Sequence, residues 1–126
     1  MKKSERYLKG EKLLTQLHGG HAGEEIINAF GEICPAMAEM TIEWGFGEIM
    51  SRQGLDLKTR ELAIIASLVT LGNTLPQLKA HIEAALSVGA TKDEIIEIIL
   101  QTALYAGFPV AANAMITAKE ILMKKE

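Results

Sequence analysis

Apolar residues along the chain recur at helical spacing rather than at strand spacing. No segment alternates strictly between apolar and polar positions, so no β-strand is predicted. Capping residues, glycines and prolines mark frequent helix ends, and they predict seven helices, over residues 4–17, 24–32, 35–52, 57–71, 75–88, 92–106 and 109–123. The predicted fold is an all-α, compact bundle of six to seven helices, formed as one domain by residues 1–126.

The helix starts in the second half of the chain are marked by polar caps. Asp56 suits the N-cap of the fourth helix. Thr91 and Glu94 have the spacing of a capping box before the sixth helix, and Thr74 and Gln77 have the same spacing before the fifth. These caps predict helix starts close to positions 57, 75 and 92.

The helices over 57–71 and 92–106 are apolar around most of their circumference. Such helices are typical of a bundle centre, and we expect them to serve both the core and a subunit interface. Hydrophobic residues make up 48% of the chain but aromatic residues only 5%. Because one small core cannot hide so much aliphatic surface, the protein is expected to be an oligomer.

Net charge and targeting signals narrow the possible partners. The chain carries a net charge of −3 without a cluster of basic residues, so nucleic acid is not expected as a partner. No apolar signal core follows the charged amino terminus, and the most apolar stretch, residues 62–71, is too short to span a bilayer. A single cysteine cannot form an internal disulfide, and a cytoplasmic location is expected.

One histidine is a candidate proton donor. His81 falls on the flank of the apolar stripe of the fifth helix. A half-buried histidine facing a cleft can transfer protons near neutral pH. A boundary histidine bonded to a backbone carbonyl would have the same spacing, and the local pattern does not distinguish the two.

The third helix carries a second candidate group. Trp44, Glu48 and Arg52 are spaced by four, so on a continuous helix they share one face, although Gly45 and Gly47 predict a bend. The guanidinium could bind a carboxylate substrate, with Glu48 orienting it or exchanging protons. An ordinary surface ion pair is the alternative.

Metal and thiol chemistry find little support in the sequence. His18 and His21 have no further ligands at a suitable spacing, so a zinc site is not expected. Cys34 has no partner at CxxC spacing, and no phosphate-binding glycine loop or GxSxG elbow is present.

Four segments in one register carry a resemblance to a known family. They are residues 45–62 (GFGEIMSRQGLDLKTREL), 78–85 (LKAHIEAA), 89–95 (GATKDEI) and 102–114 (TALYAGFPVAANA). The set resembles the carboxymuconolactone decarboxylase family over about residues 6–123. The resemblance implies an alkylhydroperoxidase AhpD-like helical fold, assembled as a homotrimer or homohexamer.

The same resemblance implies decarboxylation of 4-carboxymuconolactone in aromatic catabolism, without a metal or organic cofactor. It implies His81 as general acid, Arg52 as partner of the carboxylate or oxyanion, and Glu48 as orienting base. Residues expected to contact the small-molecule substrate are Trp44, Gln101 and Tyr105.

The chain lacks one feature of the AhpD branch, and two further departures from the decarboxylase pattern leave alternatives open. Residues 74–77 (TLPQ) lack the cysteines of the AhpD peroxidases, so peroxidase activity is not implied. Gln101 stands where the decarboxylases often have His, and Met50 where they often have Trp. The alternatives are a paralogue of the same fold with another small substrate, and a non-catalytic oligomeric helical module.

Overall fold

In the computed structural model, which describes residues 2–124, every regular element is a helix. The elements are α1 (Glu5–His18), α2 (Ala22–Phe30), α3 (Pro35–Met40), a π-helix termed π1 (Thr41–Ile49), α4 (Leu57–Leu71), α5 (Leu75–Ser87), α6 (Lys92–Ala106) and α7 (Phe108–Leu122). The all-α prediction is confirmed. The helices group into two compact units, one ending at Leu55 and the other beginning at Asp56.

The first unit is organised by the packing of α1 on π1. Leu14 and Ile42 are buried in its core, and Tyr7 and Phe46 pack against them. A methyl group added at Gly47 would lie 2.0 Å from the Arg6 carbonyl oxygen. The backbones of α1 and π1 therefore touch directly, which only a residue without a side chain permits here.

The third predicted helix differs most from expectation. It starts at Pro35 as predicted, but at Thr41 it changes to a π-helix that ends at Ile49 instead of continuing to residue 52. Its hydrogen bonds run from residue i to i+5, as between the Met50 amide and the Gly45 carbonyl at 2.9 Å. A change of helix type thus occurs where a bend is predicted, and the bend itself stays a prediction.

The second unit contains the larger core. Ile65 and Val69 from α4 and Ile95 and Ile99 from α6 are at most 1% exposed, so the core role predicted for both helices is confirmed. Leu104 on α6, by contrast, is 78% exposed. Part of the apolar surface of α6 therefore faces outward.

Polar caps set the helix starts of this unit. The Asp56 side chain accepts a 2.7 Å hydrogen bond from the Thr59 amide. Thr91 and Glu94 form the predicted capping box. The capping box predicted at Thr74 is wrong, because the Thr74 hydroxyl instead donates a 2.9 Å hydrogen bond to the Leu68 carbonyl, which satisfies an acceptor at the end of α4.

Candidate active site

A histidine and a buried carboxylate are joined within the second unit. His81 Nδ1 lies 2.7 Å from Glu61 Oε1, linking α5 to α4. The Glu61 side chain is fully buried, whereas the His81 side chain is 20% exposed. This pair gives the candidate proton donor a fixed ring orientation.

The helix register explains why Glu61 is buried. It lies four residues before Ile65 and eight before Val69, so α4 directs its carboxylate to the same face as these core residues. A buried carboxylate is costly unless it is paired and hydrogen-bonded. One oxygen has His81 as its partner, while Oε2 has no hydrogen-bond partner within residues 2–124. The interaction with His81 is therefore central to tolerating this charge.

The geometry defines what the pair can do chemically. A carboxylate at Nδ1 favours the tautomer that carries its proton there and stabilises the imidazolium when Nε2 is also protonated. In that tautomer Nε2 is the ring nitrogen that can accept a further proton. Glu61 is not among the predicted site residues, although an acidic residue in register with the apolar face of a helix is a usable signal.

Glu48 lies on π1 in the first unit and is bound by a residue that the sequence analysis did not assign. Arg6 Nη1 donates to Glu48 Oε2 at 2.8 Å, and Arg6 Nη2 lies 3.4 Å from Glu43 Oε1. The Ser4 hydroxyl also donates to Glu43. Glu48 remains 45% exposed at its side chain, so it is oriented but open to solvent.

The predicted common face of Trp44, Glu48 and Arg52 is not formed by a continuous α-helix. π1 ends at Ile49, and Arg52 follows it, with its amide donating to the Ile49 carbonyl at 3.2 Å. Trp44 is 57% exposed. Residues four apart align in an α-helix, and the i to i+5 bonding of π1 changes that alignment.

Gln101 and Tyr105, both predicted to contact substrate, lie together in the second unit. They line a cavity of about 410 Å³ between α4 and α6, where Thr70 and Thr102 add hydroxyl groups. His81 is not among the residues that line this cavity. The predicted convergence of His81 with Glu48 and Arg52 involves both units and stays a prediction.

Histidines and acidic residues elsewhere do not assemble into a metal site. Within residues 2–124, no group of three or more His, Cys, Asp or Glu side chains could hold a metal ion. His18 packs edge-on against the Phe46 ring, with centroids 5.7 Å apart. His21 and Cys34 occupy the N-cap positions of α2 and α3.

Within residues 2–124, none of the helices has both the length and the hydrophobicity that a membrane span requires.

Comparison with known proteins decides the family. The profile of the carboxymuconolactone decarboxylase family matches residues 35–120. The chain belongs to this family. The 4-carboxymuconolactone decarboxylase of Acinetobacter baylyi is 33% identical over 121 residues, which cover 96% of this chain and 90% of that protein. The predicted family resemblance is confirmed.

Two further relatives extend the comparison. An uncharacterized 15.0 kDa protein of Paracoccus denitrificans is 33% identical over 92% of this chain and 95% of its own length. The nitrosuccinic acid decarboxylase of Metarhizium robertsii is 36% identical over 67% of this chain and 58% of its own length. Two relatives named as decarboxylases, together with the carboxymuconolactone decarboxylase family profile, support decarboxylase activity for this chain.

Proposed function

We propose that the protein is a cofactor-independent decarboxylase of a small carboxylated lactone, similar to 4-carboxymuconolactone, with His81 as proton donor. The hydrogen bond between His81 and the buried Glu61 carries the proposal. It gives a proton-transferring nitrogen a defined orientation and a neighbouring negative charge that stabilises the imidazolium.

The proposed reaction has two steps whose atoms balance. The bond from carbon to the carboxylate breaks, CO₂ leaves, and the electron pair enters the conjugated lactone as an oxyanion. His81 then donates its proton to carbon and recovers a proton from water. Positive charge near the developing oxyanion lowers the barrier of the first step.

The other predicted residues complete the proposed site. Arg52 binds the substrate carboxylate or the oxyanion, and Glu48 acts as orienting base. The pocket residues in this proposal are Trp44, Gln101 and Tyr105, the last two of which share one cavity.

The names of two relatives support a common substrate chemistry. One acts on a carboxylated lactone and the other on nitrosuccinic acid. A lactone conjugated to a double bond and a nitro group can each accept the electron pair that CO₂ leaves behind. We therefore propose that the substrate is a small acid with such an electron acceptor near its carboxylate.

The decisive experiment follows the ultraviolet absorbance of 4-carboxymuconolactone in the presence of the purified protein. Wild-type protein and His21→Ala, which alters an exposed histidine at the start of α2, should turn over the lactone at similar rates. His81→Ala should be strongly impaired. Equal absence of activity in wild type and His81→Ala would exclude this substrate.

A second candidate is a paralogue that acts on another small molecule. Gln101 stands where the family resemblance implies a histidine in many decarboxylases, and it lines the 410 Å³ cavity, which favours this candidate. A thermal-shift screen with lactones and nitro acids distinguishes the two, because a ligand that binds the folded state raises the melting temperature. A shift with nitrosuccinic acid but not with the lactone would favour the paralogue.

We also propose that the protein assembles as a homotrimer or homohexamer. Large apolar side chains on α6 and α7 support this, because Leu104, Phe108 and Ile116 are between 66% and 78% exposed. Light scattering at micromolar concentration tests the assembly, and a protomer mass would contradict it. Aromatic catabolism as the setting and the cytoplasm as the location are further predictions of the proposed function.

A further inference from the structure

A single guanidinium connects two carboxylates of the π-helix. Arg6 contacts Glu48 through Nη1 at 2.8 Å and Glu43 through Nη2 at 3.4 Å. Glu43 in turn accepts a hydrogen bond from the Ser4 hydroxyl. Because Glu43 binds the other end of the planar guanidinium, the Nη1 group that contacts Glu48 moves less than in an isolated ion pair. The Glu48 carboxylate therefore has less freedom as well.

This arrangement depends on the type of helix. Glu43 and Glu48 are five residues apart, which is the hydrogen-bonding interval of a π-helix, so π1 places them on one side. In an α-helix, five residues would separate the two side chains by about 140° around the axis. One arginine would then bridge them less readily.

Backbone contact fixes the point from which Arg6 reaches out. An added methyl group at Gly47 would lie 2.0 Å from the Arg6 carbonyl oxygen, and one at Gly10 would lie 2.0 Å from the Ile42 carbonyl oxygen. α1 and π1 are thus in direct backbone contact at two points, one of them at Arg6 itself. The side chain of Arg6 therefore starts from a defined position relative to both carboxylates.

Stability alone does not account for this network. The side chains of Arg6 and Glu48 are 52% and 45% exposed, and exposed ion pairs contribute about 0–1 kcal/mol. The physical effect of the network lies in orientation rather than in folding energy.

We infer that Arg6 is a positioning residue, which holds the Glu48 carboxylate in one orientation, favoured by the π-helical register of residues 41–49. The inference rests on the proposed function in so far as Glu48 takes part in the reaction. The guanidinium of Arg6 acts through Glu48 and does not contact the substrate.

Kinetics of Arg6→Ala on the substrate that the wild type decarboxylates provide the first test. kcat should fall about 10- to 100-fold, because a misplacement of about 1 Å can cost about 100-fold, while KM should stay within about twofold. Millimolar guanidinium chloride should restore part of kcat, and equal sodium chloride should not. Lys12→Met removes an exposed cation from the same helix and should retain wild-type kinetics. Equal kcat in Arg6→Ala and Lys12→Met would overturn the inference.

A second readout does not depend on turnover. Side-chain ¹⁵N NMR of Arg6 should show resolved Nη signals in the wild type, because rotation of the guanidinium is restrained from two sides. Glu48→Gln should weaken that restraint, and Asp93→Asn, which alters an exposed acid on α6, should leave it unchanged. Freely rotating Nη groups in the wild type would overturn the inference. If the wild type decarboxylates no test acid, the proposed function fails, and NMR still decides whether Arg6 holds Glu48.

Discussion

The imidazole of His81 and the carboxylate of Glu61 form a 2.7 Å hydrogen bond. The Glu61 side chain is fully buried, whereas the His81 side chain is 20% exposed. The asymmetry has consequences for substitution. Removing the buried charge and removing its partner are physically different changes, because only the second leaves an uncompensated carboxylate in the core.

Replacement of each partner should therefore affect stability unequally. His81→Ala is expected to lower the free energy of unfolding by about 3 kcal/mol, since it strands the Glu61 carboxylate. Glu61→Gln, an isosteric change that removes the charge, should cost much less. Urea unfolding monitored by circular dichroism measures both. The double variant should be more stable than His81→Ala alone, and the opposite order would contradict a charged Glu61.

The same pair predicts a kinetic effect. Glu61→Gln should lower kcat about 100-fold or more, because a neutral amide no longer stabilises the imidazolium or selects the tautomer. The comparison is made with the substrate on which the wild type is active. Glu83→Gln, on an exposed position of α5, serves as the matched control and should keep wild-type kcat. Unchanged kcat in Glu61→Gln would show that the Glu61 carboxylate does not assist His81 in catalysis.

Local sequence signals predicted the helices of the second unit well. α4 and α6 have the predicted bounds, because Asp56 and the Thr91–Glu94 box act on backbone groups within three residues. The π-helix was not predictable in this way, since it packs on α1, which is distant in the chain and touches Gly47 through the Arg6 backbone. Contacts that distant leave no periodic signal in the sequence.

Two glycines of π1 should respond differently to substitution. An added methyl group at Gly47 would collide with the Arg6 backbone, whereas one at Gly45 would meet nothing within 4 Å. Gly47→Ala is expected to lower the free energy of unfolding by about 1–3 kcal/mol through overpacking. Gly45→Ala is the matched control and should be neutral or slightly stabilising. Chemical denaturation of the two variants checks this, and equal losses would argue against direct backbone contact.

Acid should destabilise the second unit through two carboxylates. The hydrogen bond from the Thr59 amide lowers the pKa of Asp56 from its usual 3.8, and the contact with Lys58 lowers the pKa of Glu94 from its usual 4.5. Because both pKa values are depressed in the folded state, their stabilising effect is complete above about pH 4.5. It is lost as the pH falls through the folded values.

Asp56→Asn isolates one of these contributions. Asparagine caps helices about as well as aspartate, so the variant should fold normally but lose the titration. Thermal melting between pH 6 and pH 3 should show a shallower decline than in the wild type. Asp93→Asn removes an exposed carboxylate of α6 and controls for net charge. A decline as steep as in the wild type would exclude Asp56 as a source of the acid sensitivity.

Gln101 offers the sharpest test of which substrate the fold serves. The family resemblance implies a histidine at this place in many decarboxylases, and Gln101 lines the 410 Å³ cavity together with Tyr105. If the missing imidazole limits turnover of 4-carboxymuconolactone, Gln101→His should raise kcat/KM for that lactone at least tenfold. Gln101→Asn keeps the amide and should not. Since Gln101 is exposed, both variants should melt close to the wild-type temperature, so a change in rate reports on chemistry. No gain in Gln101→His would show that the missing imidazole does not limit turnover of this lactone.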